Sequence, residues 1–222
     1  MIPVRKAGYV CACVLLDVLF ALSQSRSLPD DPAISASNTP PPYEYITPRQ
    51  RLRWFLDSTV GAKTLAAGLF TAGIGTARDK PREYGPHWEG FAERYGIRLS
   101  GVSTGNAIEA SLGALWGEDP RYFPMGTAPF KDRIYHIVGS TFTAHNRGGR
   151  TVPAYARYIA TPGNNFLSNA WRPDSEADNH SAALRTLWGF VGLMGKNAFL
   201  EFWPDVSHHL FKGAPEPETL SK

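Results

Sequence analysis

The stretch from Leu99 to Gly117 reads LSGVSTGNAIEASLGALWG, and it decides the fold. It contains one charged residue, Glu109, and no proline. Apolar, small or weakly polar residues fill the other positions, so a helix formed here has no charged face. Such a helix is usually buried on all sides, in a protein core or in a membrane. We therefore expect a central helix against which the other helices pack.

Glycine recurs along this helix at intervals of four and eight residues. Each glycine inside a helix costs about 1 kcal/mol relative to alanine, and close approach of neighbouring backbones is one reason to accept that cost. A step of four turns by about 40° around a helix, so the first and last glycine pairs face different neighbours. The glycines are Gly101, Gly105, Gly113 and Gly117. The predicted apolar face of this helix consists of Ile97, Gly101, Gly105, Ile108, Leu112 and Leu115.

The carboxylate of Glu109 is costly to bury without a partner. A salt bridge that fixes the packing of the helices is the first interpretation. Two other predicted helices also carry a stretch with a single charge, Lys63 or Lys196, and the sign is opposite to that of Glu109. We expect Glu109 to meet Lys63, Lys196, Arg157 or Arg185. The alternatives are a carboxylate in a pocket, with a raised pKa, and a carboxylate exposed to solvent.

The first residues have the composition of a secretory signal peptide. Arg5 and Lys6 form a positive start, and a mostly apolar run follows from Ala7 to Leu22. Small residues at the positions that a signal peptidase recognises predict cleavage near Ser23, so residues 1–23 are the predicted signal peptide. This pattern predicts export to the periplasm or cell envelope. An uncleaved membrane anchor is the alternative.

Cysteine content and charge narrow the function classes. Both cysteines, Cys11 and Cys13, lie in the leader, so the mature chain has no disulfide, cysteine nucleophile or cysteine metal ligand. The net charge of +3 is small and the chain has no dense Lys/Arg patch, so nucleic acid is not expected as a partner. With 222 residues, the chain is long enough for one sizeable domain.

Composition divides the remaining chain into three parts. Residues 24–47 are rich in Ser, Pro, Asp and Asn, which predicts a disordered linker. Residues 48–211 form the predicted helical domain, and residues 212–222 a disordered tail. The predicted fold class is all-α, a bundle of four to five long helices with close packing through Gly- and Ala-rich faces.

Caps and apolar periodicity set the predicted helix boundaries. Thr47 and Pro48 suit the N-cap and first turn of a helix. Two structures are compatible with residues 130–160, a pair of helices or a strand hairpin, because Gly-Gly is a hairpin signal. Pro162 and Pro204 are expected to bend or stop their helices. The helices span 48–77, 87–117, 130–144, 152–171 and about 175–203, and the last has an apolar face of Leu184, Leu187, Trp188, Val191, Met194, Ala198 and Phe202.

A search for catalytic constellations finds none that the chain satisfies. The patterns HExxH, Walker A, GxSxG and paired Glu-x-x-His are absent. We predict no catalytic residue, no metal site and no cofactor. Polar residues on otherwise apolar helices are candidates for a buried hydrogen-bonded network or for the lining of one pocket. These residues are Arg98, Asn106, Glu109, Arg157, Asn169, Arg185, Asn197 and Glu201.

Two adjacent acids, Glu118 and Asp119, follow the predicted central helix. The helix dipole disfavours negative charge at a C-terminus. Arg121, two residues further on, is expected to neutralise these acids. A bound metal or ligand is the alternative.

Three short motifs resemble those of a family of exported bacterial helical proteins to which no activity is assigned. The motifs are EDPRYF at 118–123, SNAW at 168–171 and EFWPD at 201–205. The resemblance covers residues 47–211, and it implies export and a helical fold. It implies no reaction mechanism.

The leading hypothesis is a non-enzymatic, exported bundle of the cell envelope that acts as a scaffold or binds an apolar or lipid-like ligand. A membrane surface or such a ligand is the expected partner, and a homo-oligomer fits the same pattern. One alternative is an enzyme that uses Glu109 or Glu201 as acid/base, with an arginine that holds an anionic substrate. Another is an integral membrane oligomer packed through the glycine stripes. Tryptophans suited to a membrane or ligand interface, as well as to the core, are Trp88, Trp116, Trp171, Trp188 and Trp203.

Overall fold

The computed structural model describes residues 43–210, with side chains to His208. The predicted signal peptide, residues 24–42 of the linker and the tail lie outside these residues. The described chain is mostly helical, with one small hairpin. The helices are α1 Pro48–Val60, α2 Ala62–Ala77, α3 Trp88–Trp116, α4 Phe130–Phe142, α5 Tyr155–Leu167 and α6 Asn179–Leu210; the strands are β1 Thr143–His145 and β2 Thr151–Pro153; short 3-10 turns are Arg82–Tyr84 and Ser168–Ala170.

The first predicted helix is divided into α1 and α2. The N-cap prediction is confirmed: the Thr47 hydroxyl accepts a hydrogen bond from the Gln50 amide, and the Gln50 side chain accepts one from the Thr47 amide. The prediction of one uninterrupted helix over 48–77 is wrong, because Gly61 has extended backbone angles of φ −63° and ψ 148° and separates the two helices. A Cβ at Gly61 would lie 2.2 Å from the Asp57 carbonyl oxygen. This turn therefore requires glycine.

Both interpretations of residues 130–160 hold in part. α4 ends at Phe142, and β1 pairs with β2 in an antiparallel hairpin with Ala144 opposite Val152. Gly149 turns the hairpin with φ +74°, in the region that favours glycine. The next helix ends at Leu167 rather than at residue 171, and it continues through Pro162. A proline thus removes one backbone donor from α5 without stopping the helix.

The last helix also differs from the prediction at both ends. α6 begins at Asn179, after a polar turn, and continues through Pro204 to Leu210. The expected stop at Pro204 is therefore wrong. The Asp178 carboxylate accepts hydrogen bonds from the amide and the hydroxyl of Ser181, and so caps the start of α6. This capping explains the later start, because it satisfies a donor of the first turn.

α3 occupies the centre of the bundle, where it packs against α1, α2 and α5, while α6 packs against α5 and α4. The central position of α3 agrees with the prediction. The predicted apolar face is not buried along its whole length, since Leu115 is 73 % exposed. The buried side of α3 carries small and hydroxylated residues. Hydroxyls of Ser100 and Thr104 donate to carbonyls one turn earlier, which satisfies them inside the bundle. Buried positions of α3 include Ser100, Ser103, Thr104, Ala107 and Ala110.

The first half of the predicted apolar face of α6 points away from the bundle, since Leu187 is 63 % exposed and Trp188 is 70 % exposed. The second half is partly covered, because the Phe202 ring contacts Phe130 and Arg133 of α4. The buried residues of α6 are instead Ala182, Asn197 and Glu201. The inner side of this helix is occupied by polar groups with partners on α4, which leaves its apolar side outside.

Several helical glycines lie against long side chains. A Cβ at Gly113 would lie 2.8 Å from Arg51 Nη1, and one at Gly68 would lie 2.8 Å from the Tyr95 ring. Gly105 faces the side chain of Asn164, which would be 3.5 Å from such a Cβ. At these positions the absence of a side chain makes room for a neighbouring residue's side chain.

Within residues 43–210, no helix combines the length and the apolar content that a membrane crossing requires.

Candidate functional site

The Glu109 carboxylate forms an ion pair with Arg157 between α3 and α5. Arg157 Nε lies 2.9 Å from Glu109 Oε1, and their side chains are 7 % and 15 % exposed. Among the four predicted partners of Glu109, Arg157 is the one that pairs with it. The buried salt bridge is therefore confirmed, and the solvent-exposed alternative is wrong.

The same arginine also caps the end of α4. Its Nη1 donates to the carbonyl oxygens of Ser140 at 2.8 Å and Thr141 at 3.0 Å. A positive charge is favoured at a helix C-terminus, where the carbonyl groups lack helical partners. The Asn197 side chain joins this region, because its amide donates to Thr141 Oγ1 at 3.3 Å. Three helices, α3, α4 and α5, thus meet at one guanidinium, and α6 reaches the same helix end.

Glu201 is the centre of a second polar cluster, between α4 and α6. Its carboxylate is buried and accepts hydrogen bonds from Arg133 Nε at 2.9 Å and from the Tyr122 hydroxyl at 2.6 Å. The Met125 amide donates to both carboxylate oxygens at 3.1 Å. Arg133 also pairs with Asp205 at 2.6 Å, and its Nη2 donates to the Glu201 carbonyl. Four donors therefore hold the Glu201 side chain and backbone in place.

These contacts keep Glu201 ionised. Burial alone raises its pKa, but the hydrogen bonds from Tyr122, Met125 and Arg133 outweigh that effect, so the pKa of Glu201 lies below its usual value. Burial and the neighbouring carboxylate raise the pKa of the Tyr122 hydroxyl. A general acid needs a carboxyl group that is protonated near neutral pH. The surroundings of Glu201 oppose that state.

The EDPRYF motif joins separate parts of the fold. Glu118 Oε2 accepts a hydrogen bond from the Ala156 amide at 3.0 Å, in the first turn of α5. Asp119 is fully buried and pairs with Arg121 at 2.7 Å, as predicted, and it accepts the Tyr43 hydroxyl at 3.0 Å. The expectation of two acids held against a helix C-terminus is wrong for Glu118, since Gly117 turns the chain and the carboxylate meets a helix N-terminus instead.

Residues just before α1 belong to the folded domain. Ile46 is buried, and the Arg121 guanidinium donates to the Glu44 carbonyl at 2.8 Å. The Tyr43 ring stacks on His145 of the hairpin, with 5.2 Å between ring centroids. The domain therefore includes residues 43–47, which composition assigns to the linker.

The other candidate residues lie apart from these clusters. Arg185 donates to Asn169 Oδ1 at 2.5 Å, at the start of α6. The Asn106 amide donates to Thr59 Oγ1 of α1 at 3.0 Å. Arg98 lies beside α2, and burial lowers its pKa. Seven of the eight candidates thus take part in hydrogen bonds or ion pairs at several separate places, and Arg98 lies apart from them.

The space beside Glu109 is narrow. It lies between Glu109, Gly113, Glu118 and Pro120, and three alanines close its remaining sides. A water-sized sphere does not fit there, so this space holds no substrate or apolar ligand in the described conformation. Among the described residues, no group of three His, Cys, Asp or Glu side chains is arranged to hold a metal ion.

The outer surface of the bundle is rich in large apolar side chains. Each of the helices α1 to α6 carries at least two that are more than a third exposed. Soluble monomers rarely expose contiguous apolar patches of large area. The exposed set is Leu56 and Val60 on α1; Leu69, Phe70 and Ile74 on α2; Trp88, Leu115 and Trp116 on α3; Phe130, Ile134, Tyr135, Val138 and Phe142 on α4; Tyr155, Ile159, Phe166 and Leu167 on α5; and Leu184, Leu187, Trp188, Val191, Phe199, Trp203 and Val206 on α6.

Sequence reasoning missed Arg133 and Tyr122, which complete the Glu201 cluster. Glu201 and Asp205 are four residues apart, so they share a helix face and offer two carboxylates to one cation. That spacing is a signal for a buried arginine, but it does not say which arginine.

Comparisons of the chain with protein-family models, with curated proteins and with solved structures found no match. The resemblance to exported bacterial proteins therefore stays a prediction.

Proposed function

We propose that this chain is an exported helical bundle of the cell envelope that acts as a scaffold or binder at an apolar, lipid-like surface. The observation that carries the proposal is the exposed set of large apolar side chains on α1 to α6. Burial of one such side chain in an apolar phase is worth about 1.5–3 kcal/mol. A bundle with this surface gains free energy when lipid replaces water around it.

The distribution of charge supports the same proposal. Glu109 with Arg157 and Glu201 with Arg133 place ionised groups inside, where each has a partner. The outer side of α6, from Ala183 to Trp203, presents one charge, Lys196. Ionisable residues are directed to the interior when the surroundings are apolar. The exposed apolar residues also lie on all six helices rather than on one.

The enzyme alternative receives less support. Both carboxylates named for it are engaged by arginines of the same chain, at 2.9 Å in each case. An arginine that holds an anionic substrate would have to be free of such a partner. The narrow space beside Glu109 offers no room for a substrate either.

Close packing through small residues is also part of the proposal. A Cβ at Gly68 on α2 would lie 2.8 Å from the Tyr95 ring on α3, and a Cβ at Gly189 on α6 would lie 3.0 Å from the Thr161 side chain on α5. These short distances favour a bundle whose helix separations depend on glycine. Other helical glycines face open space, and they favour a homo-oligomer as a second candidate: Gly139, Gly163, Gly192 and Gly195.

Vesicle flotation of the purified chain tests the proposal. The chain should float with phosphatidylcholine vesicles, and a Leu187→Gln/Trp188→Gln variant should bind at least about tenfold more weakly, because two exposed apolar side chains are lost. Ala183→Gln is the matched control on the same exposed side of α6, and it should bind like the wild type. A wild-type chain that stays at the bottom of the gradient, with folded far-UV circular dichroism, would overturn the proposal.

A further inference from the structure

Two lysines lie where the turn between α1 and α2 meets the middle of α6. Lys196 Nζ lies 3.5 Å from Ser58 Oγ, and Thr64, the neighbour of Lys63, donates to the Ser58 carbonyl at 3.2 Å. The Lys63 ammonium lies over the Phe199 ring, 5.3 Å from its centroid. Both ammonium groups therefore occupy the same region of the bundle surface, next to Ser58.

Neither lysine has an acidic partner in the described part of the chain. The ion pairs there involve arginines, and no carboxylate lies within 4.0 Å of Lys63 or Lys196. Glu109 is the acid whose charge acts on Lys196, but Arg157 already holds that carboxylate. The protein atoms around the Lys196 ammonium lower its pKa. Its positive charge is thus poorly compensated.

Aromatic side chains lie beside these two charges. Trp54 lies 6.0 Å from Lys196 Nζ, measured to the ring centroid, and Phe199 lies under Lys63. Trp203, which is exposed, stacks on Phe199 with 5.0 Å between ring centroids. A pair of cations in such a setting suits a ligand that joins an anionic group to hydrocarbon. Cation–π contacts hold the ammonium groups at the surface without neutralising them.

We infer that Lys63 and Lys196 bind the anionic head group of a membrane lipid whose acyl chains lie against the apolar side of α6. This inference rests on the proposed function, and it adds the class of lipid that the surface prefers. Charge complementarity favours a lipid over a second copy of the chain, because a second copy would bring the same two positive charges to the contact. A phosphate diester carries the negative charge in acidic phospholipids.

Flotation with two kinds of vesicle tests this site in the full chain. Phosphatidylcholine vesicles measure apolar binding, and vesicles that also contain phosphatidylglycerol measure the preference for negative charge. Each lysine near an anionic surface is worth about fivefold in binding. A Lys63→Gln/Lys196→Gln variant should therefore lose about 25-fold of the preference for phosphatidylglycerol, and it should keep its binding to phosphatidylcholine alone.

Two control variants make the result specific. Lys131→Gln removes a lysine that also lies over an aromatic ring, Tyr135 at 5.8 Å, but on α4. This variant should keep the preference, and so should Lys63→Arg/Lys196→Arg. Equal loss in Lys131→Gln would overturn the site in favour of general electrostatic attraction.

Other outcomes distinguish this site from the proposed function. Equal binding of the wild type to both kinds of vesicle would overturn the lysine site and leave membrane association standing. Binding to neither would overturn both. Inorganic phosphate that abolishes the preference at constant ionic strength would also overturn the site, because it would show a site for free phosphate rather than for lipid.

Discussion

α3 and α6 differ in what they present to the rest of the molecule. α3 is surrounded by other helices, and its buried side carries Ser, Thr, Ala and Gly. α6 is longer, and its apolar side faces outward while Asn197 and Glu201 face inward. In this bundle, specific polar contacts hold the helices together, and most large apolar side chains are left for the surface. Substitutions inside should therefore affect stability, and substitutions outside should affect binding.

The largest loss of stability should follow Arg157→Met. Glu109 would then be buried without a partner, and the end of α4 would lose its donor, so we expect a loss of about 4 kcal/mol in the free energy of unfolding. Urea denaturation measures this loss. The exposed Arg53→Met is the control and should change stability by less than about 0.5 kcal/mol.

A double variant tests whether the Glu109 and Arg157 side chains interact. Glu109→Leu combined with Arg157→Met should cost less than the sum of the two single losses, since no buried charge remains. Additive losses would mean that the two side chains do not interact.

The second effect concerns Glu201 and pH. Glu201→Gln should cost about 2 kcal/mol at neutral pH, because a charged hydrogen-bond acceptor for Arg133 and Tyr122 is lost. The folded-state pKa of Glu201 is lowered, so its contribution is present above the unfolded pKa of about 4.3 and is lost as pH falls through the folded value. Unfolding in urea across this acidic range should show a steeper decline for the wild type than for Glu201→Gln. Parallel curves would contradict the assignment.

Glycines inside and outside the bundle should respond in opposite ways. At Gly113 a Cβ would meet Arg51, whose guanidinium also donates to the Glu118 carbonyl at 2.8 Å, so Gly113→Ala should destabilise by about 1–2 kcal/mol. At Gly192 nothing lies near a Cβ, so Gly192→Ala should stabilise the isolated chain by about 1 kcal/mol through helix propensity. Thermal unfolding compares the two variants. Equal changes in stability for Gly113→Ala and Gly192→Ala would contradict the distinction between buried and exposed glycines.

The smallest effect on stability should come from the outer side of α6. Trp188 is 70 % exposed, so Trp188→Gln should change the free energy of unfolding by less than about 0.5 kcal/mol. A loss of several kcal/mol in urea would mean that this side chain is part of the core.

Local signals predicted the helices well where one residue type decides the structure. Thr47 and Pro48 place the start of α1, and the single charge between Leu99 and Gly117 places α3 at the centre. The division of α1 from α2 was missed, because the extended backbone of Gly61 gives no pattern that differs from other helical glycines. Proline was given too much weight, since α6 continues through Pro204.

Tertiary contacts limited what could be predicted of the site. Opposite charge narrowed the partners of Glu109 to four residues, but only the fold selects Arg157. Arg133 is 68 residues before Glu201, and no local pattern links them. Periodicity identified an apolar face on α6, but it does not say whether that face meets protein or lipid. Whether the apolar face of α6 points inward or outward depends on which side of the helix has polar partners in the bundle.

The small residues of the α3 interior have a calorimetric consequence. The heat capacity of unfolding increases with the apolar area that becomes exposed. Here alanines make up much of the buried apolar set, and the largest apolar side chains are already in contact with solvent. The heat-capacity change per residue should therefore fall below the usual 12–15 cal/mol/K or so. The stability curve of this domain should be broad and flat, with a weak dependence on temperature.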